Sequence, residues 1–225
     1  MLDVLYEDNH LLLVNKPAGM LVHGDETGDV PLAEVAKEYI KHKYNKPGNV
    51  FIGVVHRLDR PVSGVVLLAK TSKALTRLNE LFKSKKMQKT YWALVQHRPQ
   101  QESQTLVHWL VKDSGKNVTK AFAKENPAGQ RSELSYRLRS HQEEKYLLEV
   151  YPITGRPHQI RVQLASMRCP IIGDLKYGAK QPLPDKSIAL HARELVFEHP
   201  TLKTEIKVSA PPPISAVWTP FRNLK

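Results

Sequence analysis

Residues 65–69 read Val-Val-Leu-Leu-Ala and follow directly on Pro61 and Gly64, and no other junction constrains the fold so much. Proline removes a backbone donor and fixes φ, while glycine permits positive φ, so no helix crosses this point. An unbroken apolar run of that length has the size of a strand. A second apolar stretch, residues 51–55, comes just before, so residues 56–64 form a shaped loop between two strands. The loop reads His56-Arg57-Leu58-Asp59-Arg60-Pro61-Val62-Ser63-Gly64. Scaffolds commonly display reactive groups on such loops. Asp59, with Arg57 and Arg60 nearby, is biased towards its ionised form, and an ionised Asp serves as base or nucleophile. The plainer alternative is a surface Asp neutralised by its arginines.

The rest of the chain follows the same strand-rich grammar. Residues 4–6 and 11–14 flank a turn-like Glu7-Asp8-Asn9 and read as a strand pair, with 15–19 as a loop. Leu32, Val35, Ala36, Tyr39 and Ile40 recur at helical spacing, with Pro31 in the first turn. A second helix is capped by Thr71 or Ser72 and buries Ala74, Leu75, Leu78, Leu81 and Phe82. It runs into Lys83, Lys85, Lys86 and Lys89, a solvated face or a polyanion contact, and then into a strand at 90–95. Further strands are expected at 105–111, 133–139, 145–151 and 205–208, with 188–192 and 195–197 as strand or buried turn. Residues 114–129 are polar and lysine-rich, an insertion or a hairpin. Gly155-Arg156-Pro157 opens a third helix with Ile160, Leu164 and Met167 inward, which places His158 and Arg161 three apart on one side. Strands outnumbering helices imply an α+β fold with a large mixed, mainly antiparallel sheet and a few flanking helices.

Composition narrows the function. At 225 residues, 41% of them hydrophobic, the chain can form one domain across 1–225 with a substantial core. No apolar run approaches the roughly 20 residues needed to span a bilayer, and the amino terminus lacks the pattern of a secretory signal. Cys169 is the only cysteine, which excludes an internal disulfide and fits a reducing, cytoplasmic setting. Thirty-four Lys and Arg against 22 Asp and Glu leave +12, a field that attracts nucleic acid. The basic residues are not gathered on one amphipathic helix, which argues against a membrane surface.

Several chemistries fall away. The histidines form no His-x-x-x-His pair and one Cys cannot build a zinc site, so no metal is expected. Phosphate-binding and dinucleotide-binding glycine motifs are missing, so no nucleotide cofactor is expected. Ser63 lacks the Gly-x-Ser-x-Gly setting of an elbow nucleophile. An Arg on a packed helix can hold a carboxylate with two parallel hydrogen bonds, which makes Arg161 a candidate partner for Asp59. The alternative for Arg161 is the basic outer face of an ordinary amphipathic helix.

Taken in order, Asn15-Lys16-Pro17-Ala18-Gly19, His56-Arg57-Leu58-Asp59 with Ser63-Gly64, Lys89-Thr90-Tyr91, and Gly155-Arg156-Pro157-His158-Gln159-Ile160-Arg161 resemble the RluA-type pseudouridine synthases. Gly173-Asp174-Leu175-Lys176-Tyr177-Gly178 and Leu190-His191-Ala192 fit the same pattern, and the resemblance covers nearly the whole chain. It implies an RNA isomerase, without cofactor, with a central active-site cleft. Asp59 is then the catalytic carboxylate, Arg161 its orienting cation, and Tyr91 the catalytic ring that stacks on uracil and is a candidate to help remove the C5 proton. His56, Arg57, Lys89, His158, Gln159 and Ile160 are expected on the substrate side, with Arg57 stabilising a flipped-out uridine. Members often carry Thr-Ser before the loop glycine, where this chain has Val62-Ser63 and loses one hydroxyl. Many relatives place a small RNA-binding domain first. Here the pattern starts almost at Met1, so the catalytic domain itself is expected to grip rRNA or tRNA, as a monomer. Two rival classes compare poorly with this reading. A non-catalytic RNA reader or chaperone on the same fold would make no pseudouridine, and a glycosidase needs a second carboxylate in a suitable setting.

Overall fold

The computed structural model describes residues 2–26 and 28–224. The fold is α+β, a large, mainly antiparallel sheet accompanied by three helices among the described residues. The chain divides into two compact units, one of residues 1–89 and 192–213, the other of residues 90–191 and 214–225.

The first unit contains β1 (Val4–Glu7), β2 (Leu11–Lys16), α1 (Leu32–Lys43), β3 (Gly53–Val54), β4 (Ser63–Ala69) and α2 (Ser72–Lys83). Strand β4 is buried at all seven positions, which is why it reads as a solid apolar run and not as an alternation. It pairs antiparallel with β2 from Leu11 opposite Ala69 to Lys16 opposite Gly64. The ladder thus continues through Asn15 and Lys16, two residues further than the apolar pattern, and stops where Pro17 has no N–H to give. Leu11, Leu13, Val65, Leu67, Ala74 and Leu78 belong to one core cluster, which α2 closes. Each such leucine contributes about 1.5–3 kcal/mol when fully buried. Thr71 caps α2 as expected, its hydroxyl accepting from the Ala74 N–H at 3.2 Å. Pro31 occupies the N-cap of α1 and not its first turn. The strand expected over 51–55 shrinks to Gly53–Val54, where a Cβ on Gly53 would come within 2.8 Å of the Leu75 side chain.

The second unit is built on β5 (Gln88–Val95), β6 (Ser103–Asp113), β7 (Val118–Phe122), β8 (Gln130–Gln142) and β9 (Lys145–Pro152), in the spatial order β5-β9-β8-β6-β7 with each neighbour antiparallel. Residues 114–129, open in the sequence, are ordered as the tip of the β6–β7 hairpin and its return. One face carries the buried Leu106, Leu110, Leu134, Tyr136, Leu148 and Val150. Helix α3 (Gln159–Ser166) covers this face, with Gln163 Nε2 donating to the Leu106 carbonyl at 3.2 Å. On β6, β7 and β8 the other face carries Val107, Trp109, Phe122 and Arg131, half-buried or exposed, whereas on β5 and β9 it buries Trp92, Leu94, Leu147 and Glu149. Tyr91, directly opposite Val150, belongs to the covered face. Residues 190–198 form one continuous strand, β10 (Leu190–Glu198), which pairs with β11 (Glu205–Ser209).

Helix α3 starts later than Gly155-Arg156-Pro157 suggests. His158 sits before it, in the left-handed region at φ 55, so His158 and Arg161 do not share a helical face as the spacing predicts. The cause is Gln159, whose side chain accepts from the Arg156 N–H at 3.0 Å and the Thr154 hydroxyl at 2.8 Å. That turn occupies the backbone that an earlier helical turn would need.

Candidate active site

In the first unit, the Asp59 loop is fixed from below by a buried lysine. Lys16 is 0% exposed, and its Nζ donates to the carbonyls of Pro17 at 2.9 Å, Met20 at 2.8 Å and Arg60 at 3.3 Å. Three acceptors match the three donors of an ammonium. Burial pushes Lys16 down to about 7, the charge of Asp59 pulls it back up, and Arg60 adds to the depression. Asp59 and Lys16 therefore sense each other electrostatically. The loop is stiffened further by the Val62 N–H donating to the Asp59 carbonyl at 3.0 Å and the Gly19 N–H to the Arg60 carbonyl at 2.8 Å. Arg60 turns its own side chain to Asp29 and the Gly19 carbonyl. Gly64 closes the loop at φ 116, where a Cβ would come 2.6 Å from the Ala192 nitrogen, so only glycine fits.

His56 is a structural pillar of the same loop. Its Nε2 accepts from the Leu67 N–H at 3.0 Å, and its ring stacks on Phe82 at 5.0 Å between centroids. Burial and the nearby Lys89 push it down to about 4, so it is neutral at physiological pH and keeps the lone pair that Leu67 needs. Lys89 Nζ lies 5.8 Å from the centroid of the same Phe82 ring, and burial lowers its pKa as well. Arg57 is exposed. Beyond α2, an open groove of about 420 Å³ is lined by Arg77, Leu81, Ser84, Lys86, Thr201 and Lys203.

In the second unit the organising group is Arg161, 5% exposed. Its Nε and Nη2 donate to the two oxygens of Asp174 at 2.7 and 2.8 Å, so the two-pronged carboxylate it holds in this unit is Asp174. Being buried, it is not the outer face of an amphipathic helix. Its guanidinium lies 5.0 Å from the centroid of the Tyr177 ring. The Tyr177 oxygen accepts from the Thr119 N–H at 2.9 Å and lies 2.7 Å from His158 Nδ1. The Tyr177 hydroxyl thus ties the β7 backbone to the His158 ring through its Nδ1 edge. Burial raises the Tyr177 pKa, so the phenol stays protonated. Gln159 spends its side chain on Thr154, Arg156 and the Glu133 carbonyl, and Ile160 is buried. Both therefore shape the turn that displays His158.

The structure thus gathers His56, Arg57, Asp59 and Lys89 in one unit and Tyr91, His158, Gln159, Ile160 and Arg161 in the other. Three residues carry more of the geometry than the sequence assigns them. Lys16, Asp174 and Tyr177 each stand in a motif quoted for the resemblance, yet only tertiary pairing reveals their partners. Among the described residues, no helix is long and apolar enough to cross a membrane, and no group of three His, Cys, Asp or Glu could hold a metal.

Comparison with known proteins agrees with this architecture. A family described as RNA pseudouridylate synthase matches residues 10–166. Ribosomal large subunit pseudouridine synthase C of Buchnera aphidicola (subsp. Baizongia pistaciae) is 34% identical over 215 residues, covering 92% of this chain and 66% of its own length. The protein of that name from Yersinia pestis is 36% identical over 217 residues, with 92% and 65% covered. The chain spans just under two thirds of these relatives. Among solved structures, human RNA pseudouridylate synthase domain containing 4 superposes with a TM-score of 0.79 at 26% identity, covering 94% of this chain and 89% of that one. Human RNA pseudouridylate synthase domain containing 1 gives 0.73 at 23% identity, a likeness of fold.

Proposed function

From the premise that the chain belongs to the RNA pseudouridylate synthase family, we propose that it isomerises specific uridines of RNA to pseudouridine, with Asp59 as the catalytic carboxylate. The bond between uracil N1 and ribose C1′ breaks, the base rotates, and C1′ rejoins at uracil C5. The proton on C5 is lost and N1 gains one, so atoms balance without redox change or energy input. The observation that carries the reading is the seating of the Asp59 loop. Lys16, Gly19 and Gly64 hold the loop in one conformation, as a reacting carboxylate requires. Asp59 acts on the ribose as nucleophile or as base. Tyr91 stacks on the uracil, and Arg161 is the positioning cation for the carboxylate. A stacked uridine has to be flipped out at a cost of a few kcal/mol, and Arg57, exposed on the loop, compensates by occupying the vacated space.

The substrate we assign is rRNA, on the strength of the names its relatives bear, with tRNA as the second class to assay. The net charge of +12 and the cations of the 83–89 segment and the adjoining groove supply phosphate contacts. We assign the protein to the cytoplasm, as a monomer without nucleotide cofactor. The lone, buried Cys169 suits a reducing compartment.

The decisive experiment compares wild type with Asp59→Asn on transcribed rRNA and tRNA, mapping pseudouridine by chemical modification. Asn preserves shape but is a poor nucleophile and base, so the variant should bind RNA normally and form no detectable product. Normal turnover by the variant would end the reading.

A further inference from the structure

The solvent-facing side of the β6–β7–β8 sheet carries an arrangement that the chemistry at Asp59 does not use. Trp109 on β6 lies directly across from Phe122 on β7 and from Arg131 on β8, and the adjacent row sets Val111 against Lys120. Residues directly opposite in an antiparallel pair have Cβ atoms about 4.5–5.5 Å apart, so the two side chains leave the sheet as neighbours on one face. Phe122 is 38% exposed and Trp109 is half-buried, whereas the reverse face of the same strands is filled by leucines. On a wet sheet face a cross-strand aromatic pair contributes only about 0.2–1 kcal/mol to folding. Trp109 is also held in place, for the chain returns so close at Gly129 that a Cβ there would lie 2.9 Å from the Trp109 Cβ.

Charge identifies the partner. Residues 112–125 contain four lysines against two acidic residues, and Lys120 shares the face of the rings. Arg131 pairs with Glu133 at 2.7 Å, but at an exposed site such a pair is worth little and yields to a phosphate. Neighbouring aromatic side chains flanked by surface cations are the equipment of a stacking platform for unpaired bases. Strand β7 also turns Thr119 inward, to Tyr177 and the Pro157 carbonyl, so the platform and His158 belong to one connected piece of structure.

Building on the RNA reading above, we propose that Trp109, Phe122, Lys120 and Arg131 form a second RNA-contact surface, which stacks on unpaired bases of the substrate away from the target uridine. The test measures anisotropy of a labelled, unstructured RNA oligonucleotide and of an RNA duplex, and pseudouridine formation on a long substrate fragment. Trp109→Ser with Phe122→Ser should weaken single-strand binding about 5- to 160-fold for each base that loses its ring, with little change for duplex. KM should rise while kcat holds. Trp109→Tyr, which keeps a ring, should stay near wild type. Lys120→Gln, a surface change that leaves the fold alone, should flatten the log–log salt dependence by about 0.7. Unchanged single-strand binding and salt slope in an active, folded variant would overturn the inference while leaving the enzyme reading intact. So would a wild-type dimer that the ring variants abolish, since the face would then serve a second copy of the chain. Wild-type protein that neither binds nor modifies RNA would overturn the enzyme reading itself and this inference with it.

Discussion

The two units each bury a cation beneath the residues proposed to act, and they neutralise it in opposite ways. Arg161 is held by a carboxylate, Asp174, with two parallel hydrogen bonds and a tyrosine face beside it. Lys16 is held by three neutral carbonyls, with Asp59 acting on it through its charge. The first solution is a two-pronged ion pair around a group that stays charged at any physiological pH. The second leaves a lysine that titrates near 7, because carbonyl dipoles compensate only part of the lost hydration. Arginine thus serves where a fixed geometry is wanted, and lysine where the charge of a neighbouring loop is to be felt.

Removing one partner of the buried pair should have the largest effect on stability. Arg161→Leu strands the buried Asp174 carboxylate and should cost about 3–5 kcal/mol, read as a fall in urea midpoint. Replacing both with apolar residues of similar volume should recover most of that loss. A double variant as weak as Arg161→Leu would mean that the pair's value lies in its contacts with Tyr177 and the turn at 158.

Lys16 should behave differently. Its folded pKa, about 7, lies below its ordinary value of 10.5, so between those limits the unfolded chain binds more protons than the native one. Stability should therefore rise with pH from about 7 to 10.5, by at most about 1.4 kcal/mol per pH unit. Lys16→Met should abolish this rise, seen as the difference between wild-type and variant urea midpoints across the range. The variant should also lose activity more than stability, since three carbonyls around the Asp59 loop lose their common donor. Parallel pH curves for the two proteins would show that Lys16 is charged throughout.

The smallest effect is expected at Tyr177. Phe keeps the ring under Arg161 but removes the oxygen shared by Thr119 and His158. A loss of about 0.5–1.5 kcal/mol should follow. The clearer signal is the His158 imidazole, which NMR should find shifted in its tautomer balance once Nδ1 loses its hydroxyl partner. An unaltered His158 spectrum would place the control of that ring elsewhere.

Much of this protein was readable along the chain. Strand β4, the Thr71 cap of α2 and the loop carrying Asp59 follow from apolar runs, breakers and capping chemistry acting over a few residues. The family pattern likewise lies in contiguous motifs. Other features depend on pairing across distance. Asp174 meets Arg161 from thirteen residues away, and Lys16 meets the Arg60 carbonyl from forty-four. Neither partner leaves a periodic mark, because one contact between distant residues has no local signature. The hairpin at 118–122 was open for the same reason, its strand being stabilised by register against β6 and not by its own composition. His158 shows the limit most plainly, since helical spacing predicted its side of α3 and a single side chain, Gln159, held it outside the helix. Local propensity thus determined which segments are strands, helices and reactive loops. The tertiary structure alone decided which buried charges meet which partners, because burial, and with it the strength of every electrostatic contact, exists only once the distant segments have packed.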